Sequence, residues 1–291
     1  MKHRLFSLML LISPVAWGLG TYPPDLPDAR VETYKTVGDT KLNLWIFAPK
    51  GHKATDRTPA IVFFFGGGWS SGSPSQFEHQ CRHLAERGMV AITADYRVAS
   101  RQQVKPIQCV ADARSAIRWV RANSGKLGID PQRIAAGGGS AGGHLAAAAT
   151  TITEFDEKSE DAKISASPNA LVLFNPAVML APLPGVESKR FEERVPAERL
   201  GTEPTRISPL HHVKPGLPPT IIFHGREDTT VPYATVEVFT EAMKKAGNRC
   251  ELVGFDGEKH GFFNYGRGSG SGYKETVQKM DEFFVSLGYL K

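Results

Sequence analysis

Cysteine is scarce in this chain. Three cysteines among 291 residues, at positions 81, 109 and 250, cannot form a disulfide scaffold, and their odd number leaves at least one unpaired. No Cys/His spacing resembles a zinc site; neither a metal nor an organic cofactor is expected. Excess charge is small as well. The 35 basic and 30 acidic side chains leave a net +5, and no segment concentrates it, which argues against a nucleic-acid partner. Long apolar runs are missing: the longest near the start, residues 5–15, is interrupted by Ser7, Ser13 and Pro14 and falls short of the ~20 residues a spanning helix needs. No stable membrane insertion is expected. No internal repeat and no long linker divide the chain. With 41% hydrophobic and 22% charged residues, the composition is that of a globular protein with a sizeable core.

The first twenty residues read as an export signal. A basic start at Lys2, His3 and Arg4 is followed by the apolar run and then by small residues at Ala16, Gly18 and Gly20. The alternative, a buried N-terminal helix, is opposed by Pro14. Cleavage near Gly18 or Gly20 would remove Lys2 and Arg4, and with them two of the net positive charges. No cysteine at that point offers a lipid anchor. The expectation is a secreted or periplasmic protein whose residues 21–291 form a single domain.

Glycine is plentiful, 29 residues, and its placement follows an alternation of strand and helix. Continuous apolar runs at residues 60–65, 89–94, 169–174 and 220–224 read as strands buried on both faces. Residues 133–136 read as a short strand and 249–255 as a last one, while 31–37 and 42–47 look like an antiparallel lead-in pair. Helices are expected over 76–87, 105–123, 142–151, 232–246 and 272–287, several of them ended by glycine. Such alternation predicts an α/β fold with a mostly parallel central sheet and helices on both faces. Residues 177–219, rich in proline and charge, are an insertion between core strands, either a short lid or rim over a site or a plain surface excursion.

Gly138-Gly-Ser140-Ala141-Gly142 carries the strongest chemical signal. A G-x-S-x-G turn between a strand and a helix lifts the serine hydroxyl above the carboxyl end of the sheet, where helix N–H groups favour developing negative charge. A nucleophilic serine needs a base, and the base an orienting acid. In a chain ordered serine, acid, histidine, the base falls to His260, in a loop just after the last strand. His144 and His224 read as structural, and His211 and His212 lie in the insertion. Asp228, directly after the 220–224 strand, is the natural acid, with Glu227 and Asp256 as competitors; its other reading is a cap for the helix beginning near Pro232. Gly66-Gly67-Gly68 at the end of the 60–65 strand supplies unhindered backbone N–H groups for an oxyanion, Gly67 or Gly68 acting together with Ala141. Trp69 either lines the pocket or packs the loop, and Phe262 is a second pocket candidate.

Taken together, Gly66-Gly67-Gly68-Trp69, Asp95-Tyr96-Arg97, Gly138–Gly143, His224-Gly-x-x-Asp228-x-x-Val-Pro232 and His260-Gly-Phe262 resemble the α/β-hydrolase fold over nearly the whole mature chain. The pattern is similar to the secreted acetyl-xylan and feruloyl esterase-like (BD-FAE-like) branch, and more distantly to hormone-sensitive-lipase-like carboxylesterases. The resemblance implies Ser140 as nucleophile, Asp228 as acid and His260 as base, acting on a small ester or an acylated carbohydrate. Two departures separate the chain from the lipase-like group: Phe65 stands where that group has His, and Gly139 where it has Asp. A formamidase or a prolyl-peptidase-like hydrolase would use the same residues, and a non-catalytic binding protein on the same fold is the alternative from another class. An oxidising compartment permits a bond between Cys81 and Cys109, leaving Cys250 a buried thiol. Oligomeric state is not legible in the chain.

Overall fold

A computed structural model describes residues 22–183, 195–268 and 270–291. The expected export signal and residues 184–194 of the insertion lie outside the described residues. Eight strands form one sheet: β1 (Arg30–Val37), β2 (Thr40–Phe47), β3 (Thr58–Phe64), β4 (Val90–Ala94), β5 (Ile129–Gly139), β6 (Ala170–Phe174), β7 (Thr220–Gly225) and β8 (Cys250–Phe255). Their spatial order is β1-β2-β4-β3-β5-β6-β7-β8. β1 and β2 are antiparallel to their neighbours, as the lead-in pair suggested, and β3 through β8 all run parallel.

Alternation along each strand sends side chains to opposite faces. In β3, Ala60, Val62 and Phe64 enter one core layer and Ile61 and Phe63 the other. The first layer is closed by α2 (Pro106–Ala122), α3 (Ala141–Thr151) and α4 (Tyr233–Lys245); the second by α1 (Glu78–Glu86) and α5 (Ser271–Ser286). α2 shows why such a segment becomes a helix. Pro106 opens its first turn, the Gln108 side chain accepts from the Lys105 N–H at 2.9 Å, and Val110, Ala113, Ile117 and Val120 face the sheet.

Three expectations need correction. The strand expected over 133–136 runs on through Gly137, Gly138 and Gly139, which pair with β3 and β6. Glycine is required there by contact rather than by a turn: a Cβ on Gly137 would lie 2.7 Å from the Val172 carbonyl oxygen and 2.8 Å from the Phe63 ring. The helix expected from residue 76 begins instead as a 3₁₀ turn, Pro74–Phe77. The third concerns the cysteines, all three of which are buried and free. Cys81 sits in the α1 layer and Cys109 in the α2 layer, so the sheet separates them and no bond can join them.

The described part of the insertion packs down onto the α2–α3 layer. Its short helical turns Ala197–Leu200, Pro204–Ile207 and Pro209–His212 bury Leu200, Ile207 and Leu210 there. Among the described residues no helix is long and apolar enough to cross a membrane.

Candidate active site

Ser140 joins the end of β5 to the start of α3 in a conformation that L-residues avoid, φ 54° and ψ −117°. The surrounding contacts impose it. A Cβ on Gly142 would lie 2.0 Å from the Phe64 carbonyl oxygen, and one on Gly138 would lie 2.5 Å from the same atom, so only glycine lets the turn close against β3. The Ser140 N–H donates to the Phe174 carbonyl at 2.8 Å, and its carbonyl accepts the His144 N–H at 3.0 Å. The side chain is thereby left at the carboxyl end of the sheet, facing the loop that follows β8.

His260 reaches Ser140 from that loop. Its Nε2 lies 3.0 Å from the Ser140 Oγ, and its Nδ1 lies 2.6 Å from the Asp228 Oδ2. A carboxylate can only accept, so Nδ1 carries the proton and Nε2 is free to take one from the serine hydroxyl. The Asp228 side chain is fully buried and its acceptor positions are filled. Oδ1 takes the Thr230 and Val231 N–H groups at 2.8 and 2.9 Å; Oδ2 takes the Asn175 Nδ2 at 2.9 Å, with the His224 Nε2 at 3.2 Å. Burial alone would raise the Asp228 pKa, but the bonds from His224 and His260 outweigh it and hold the group well below the usual carboxylate range. Asp228 thus stays ionised and keeps the imidazole in one orientation. It does not cap the helix after it: Pro232 stands at that position, and Asp228 instead closes the turn before it. The competing acids lie elsewhere, Glu227 exposed and Asp256 on the surface beside Arg226.

The remaining histidines have other partners. His224 is fully buried, with Nε2 also 2.9 Å from the Val231 carbonyl, the backbone bond expected for it. His144 accepts from the Trp69 Nε1 at 3.2 Å and donates through Nε2 to the Ile207 carbonyl at 2.8 Å. His211 and His212 hydrogen-bond within the insertion.

The glycine loop after β3 lies against the serine turn; a Cβ on Gly66 would approach the Gly139 carbonyl oxygen to 3.0 Å. Gly67 has φ +123°, and the Ser71 carbonyl oxygen occupies the place of its missing Cβ. The Gly67 carbonyl accepts the N–H groups of Ser70 and Ser71, which turns the Gly68 N–H the opposite way across a trans peptide. Gly66 donates to the Gln76 Oε1 at 2.6 Å. Among the described residues nothing accepts from the N–H groups of Gly67, Gly68 or Ala141. Arg199, from the insertion, donates to the Gly68 carbonyl at 3.0 Å, so the insertion touches this loop.

Neither pocket aromatic presents an open face. Trp69 is 4% exposed and packs the loop, its ring edge-on to His144. Phe262 is also 4% exposed and packs tilted against Phe255 and edge-on to Phe263, in the α5 layer. Phe262, expected as a pocket residue, packs instead in the core, and its neighbour Phe263 is the ring that lies against the serine turn. Phe263 also explains Gly139, where a Cβ would meet its ring at 2.5 Å. Phe65 stacks on Tyr96 at 4.1 Å, and the Tyr96 hydroxyl donates to the Phe65 carbonyl, fixing the loop without an imidazole.

Asn175 was not singled out from the sequence. It is fully buried at the end of β6, with φ 42°, and bridges the Asp228 Oδ2 and the Gly261 N–H. The available signal was positional, an asparagine ending the strand beside the one that carries Asp228. Among the described residues no group of three or more His, Cys, Asp or Glu side chains is arranged to hold a metal ion.

Chemically, the arrangement offers a hydroxyl with a base in line, an ionised orienting acid, and unengaged N–H groups on two backbone segments next to the hydroxyl. That is the equipment for nucleophilic acyl transfer.

Comparison with known proteins agrees with this chemistry. The BD-FAE family profile matches residues 44–243, and that of the dienelactone hydrolase family residues 203–286. Over 223 residues the chain is 31% identical to the esterase LipC of Mycobacterium tuberculosis, covering 72% of this chain and 54% of that protein. Over 245 residues it is 27% identical to a probable isoprenylcysteine α-carbonyl methylesterase of Arabidopsis thaliana, covering 77% and 49%. It spans about half the length of the curated relatives it matches. Among solved structures, the butyrate-bound esterase 2 of Thermogutta terrifontis is 55% identical with a TM-score of 0.88, covering 93% of this chain and 98% of that one. The native form of the same esterase gives 55% and 0.89, covering 94% and 97%.

Proposed function

The chain belongs to the BD-FAE family of α/β-hydrolases, and from that premise we propose that it is a serine carboxylesterase hydrolysing short-acyl or aromatic esters through a covalent acyl-enzyme. The observation that carries this reading is the hydrogen-bonded chain from Ser140 through His260 to Asp228, at 3.0 and 2.6 Å.

In this mechanism His260 Nε2 takes the Ser140 proton as Oγ attacks the ester carbonyl. The oxyanion is held by the Ala141 N–H and by Gly67 or Gly68, each such donor contributing about 3 kcal/mol to the transition state. His260 then protonates the departing alcohol, leaving an acyl-Ser140. A water that gives its proton to His260 attacks the acyl group, and collapse of the second tetrahedral intermediate releases the acid and restores the serine. Asp228 fixes the imidazole and stabilises its charged form throughout.

The short-acyl preference is supported by the relative from Thermogutta terrifontis, which has been seen with propionate and with butyrate. The family suggests acetyl or feruloyl groups on plant carbohydrate as the natural substrate. The basic–apolar–small order of residues 1–20 supports export to the periplasm or the medium. The test is turnover of p-nitrophenyl acetate, p-nitrophenyl butyrate, methyl ferulate, acetylated xylan and N-formylkynurenine by the wild type and Ser140→Ala. The reading expects ester hydrolysis that vanishes in the variant. Cleavage of N-formylkynurenine alone would favour a formamidase. Two folded proteins equally inert on all five would favour a binding protein.

A further inference from the structure

Two side-chain amides far apart in sequence join the glycine loop to the histidine loop. Gln76, in the 3₁₀ turn before α1, accepts the Gly66 N–H at 2.6 Å through Oε1. Its Nε2 donates to the Asn264 Oδ1 at 3.0 Å, across 188 positions of sequence. Asn264 in turn donates through Nδ2 to the Gly261 carbonyl at 2.8 Å, and its own N–H reaches the same oxygen at 3.2 Å. Gly261 directly follows His260. The relay therefore begins one residue before the candidate oxyanion donors and ends one residue after the base.

Its direction is fixed at both ends. A backbone N–H can only donate and a backbone carbonyl can only accept, so Gln76 must turn its oxygen toward Gly66 and Asn264 its nitrogen toward Gly261. The inner ends, Nε2 and Oδ1, then meet as donor and acceptor. Flipping either amide breaks two bonds. Both side chains are only half-buried, so losing one bond costs folding little. Their arrangement matters more for geometry. The separation between the oxyanion donors and the imidazole is set by two loops from opposite ends of the chain, and a misplacement of about 1 Å in such a constellation can cost a hundredfold in rate.

We propose that Gln76 and Asn264 are positioning residues that hold the oxyanion loop and the His260 loop in register. The proposal rests on the ester-hydrolase reading of the site. Gln76 also does for this chain what Phe65 cannot, since the lipase-like imidazole would hold the same loop by hydrogen bonds.

The experiment compares Gln76→Leu, Asn264→Ala and the double variant with wild type on p-nitrophenyl butyrate, with melting temperatures measured alongside. Each single change should lower kcat about tenfold to a hundredfold with KM within about twofold. The double variant should be no worse than the poorer single, because both changes cut one relay. Independent losses that multiply in the double variant, or singles within twofold of wild-type kcat, overturn the proposal. Hydrogen exchange at the Gly66 amide gives a readout that needs no turnover. It should accelerate in Asn264→Ala as well as in Gln76→Leu, and unchanged protection in Asn264→Ala overturns the relay whatever reaction the site performs. Loss of hydrolysis in Ser140→Ala is the separate control on the ester-hydrolase reading.

Discussion

His144 ties the fold to the glycine loop through its protonation state. The ring is fully buried, accepts from the Trp69 indole at Nδ1 and donates from Nε2 to Ile207, a pattern only the neutral tautomer satisfies. Burial pulls its pKa down from 6.5 to about 4, with the bond to Ile207 acting weakly the other way. Because the folded value lies below the unfolded one, the unfolded chain takes up a proton between pH 6.5 and 4 that the folded chain refuses. Stability attributable to His144 is therefore present near neutrality and is lost as pH falls through that window. At about 1.4 kcal/mol per unit of pKa difference the loss reaches roughly 3 kcal/mol. The assay is urea unfolding of the wild type and of His144→Gln at pH 7, 5.5 and 4. The wild type should be the more stable at pH 7, and its advantage should shrink by roughly 3 kcal/mol by pH 4. Buried Asp95, whose pKa is raised to about 6 by burial, works in the opposite direction but is common to both proteins and cancels in the difference. A stability difference that does not change with pH would refute the assigned protonation state.

Other outcomes follow from the same contacts. Asn175→Ala removes the bridge between Asp228 and the Gly261 N–H and should lower kcat about tenfold or more, with little change in KM; steady-state kinetics on a p-nitrophenyl ester reads this. Gly142→Ala drives a methyl to 2.0 Å from the Phe64 carbonyl and should destabilise by about 3 kcal/mol or prevent folding, whereas Gly125→Ala, with nothing within 4 Å, should be tolerated; thermal melts distinguish them. Denatured protein treated with a thiol reagent should take up three labels with or without prior reduction, and a deficit of two without reductant would contradict free Cys81 and Cys109.

The parts legible in the sequence were those that depend on local pattern. Buried strands announced themselves as apolar runs, and Ser140, His260 and Asp228 stood at strand ends with their motifs around them. The parts that were not legible depend on which face a residue meets. Cys81 and Cys109 both lie on helices, but the sheet between those helices appears only once each is assigned a side. Gly137 to Gly139 read as a turn because glycine usually marks one, yet they end the strand, and side chains are excluded there by the Val172 carbonyl and Phe63 ring, the Phe64 carbonyl, and the Phe263 ring in turn. Asn175, Gln76 and Asn264 carry no local signature, since each makes one bond to a distant partner, 53 positions away for Asn175 and 188 between Gln76 and Asn264. Phe262 and Phe263 are adjacent in sequence, and only the packing against Gly139 and Phe255 decides which approaches the site.

The central claim is that Ser140 forms the covalent intermediate. The direct measurement is the intact mass and peptide map of the protein after reaction with a p-nitrophenyl phosphonate, which traps an activated serine. One phosphonyl group on Ser140, absent in Ser140→Ala and greatly slowed in His260→Ala, is the expected result. Labelling at another residue, or ester hydrolysis that persists in Ser140→Ala, would contradict the account.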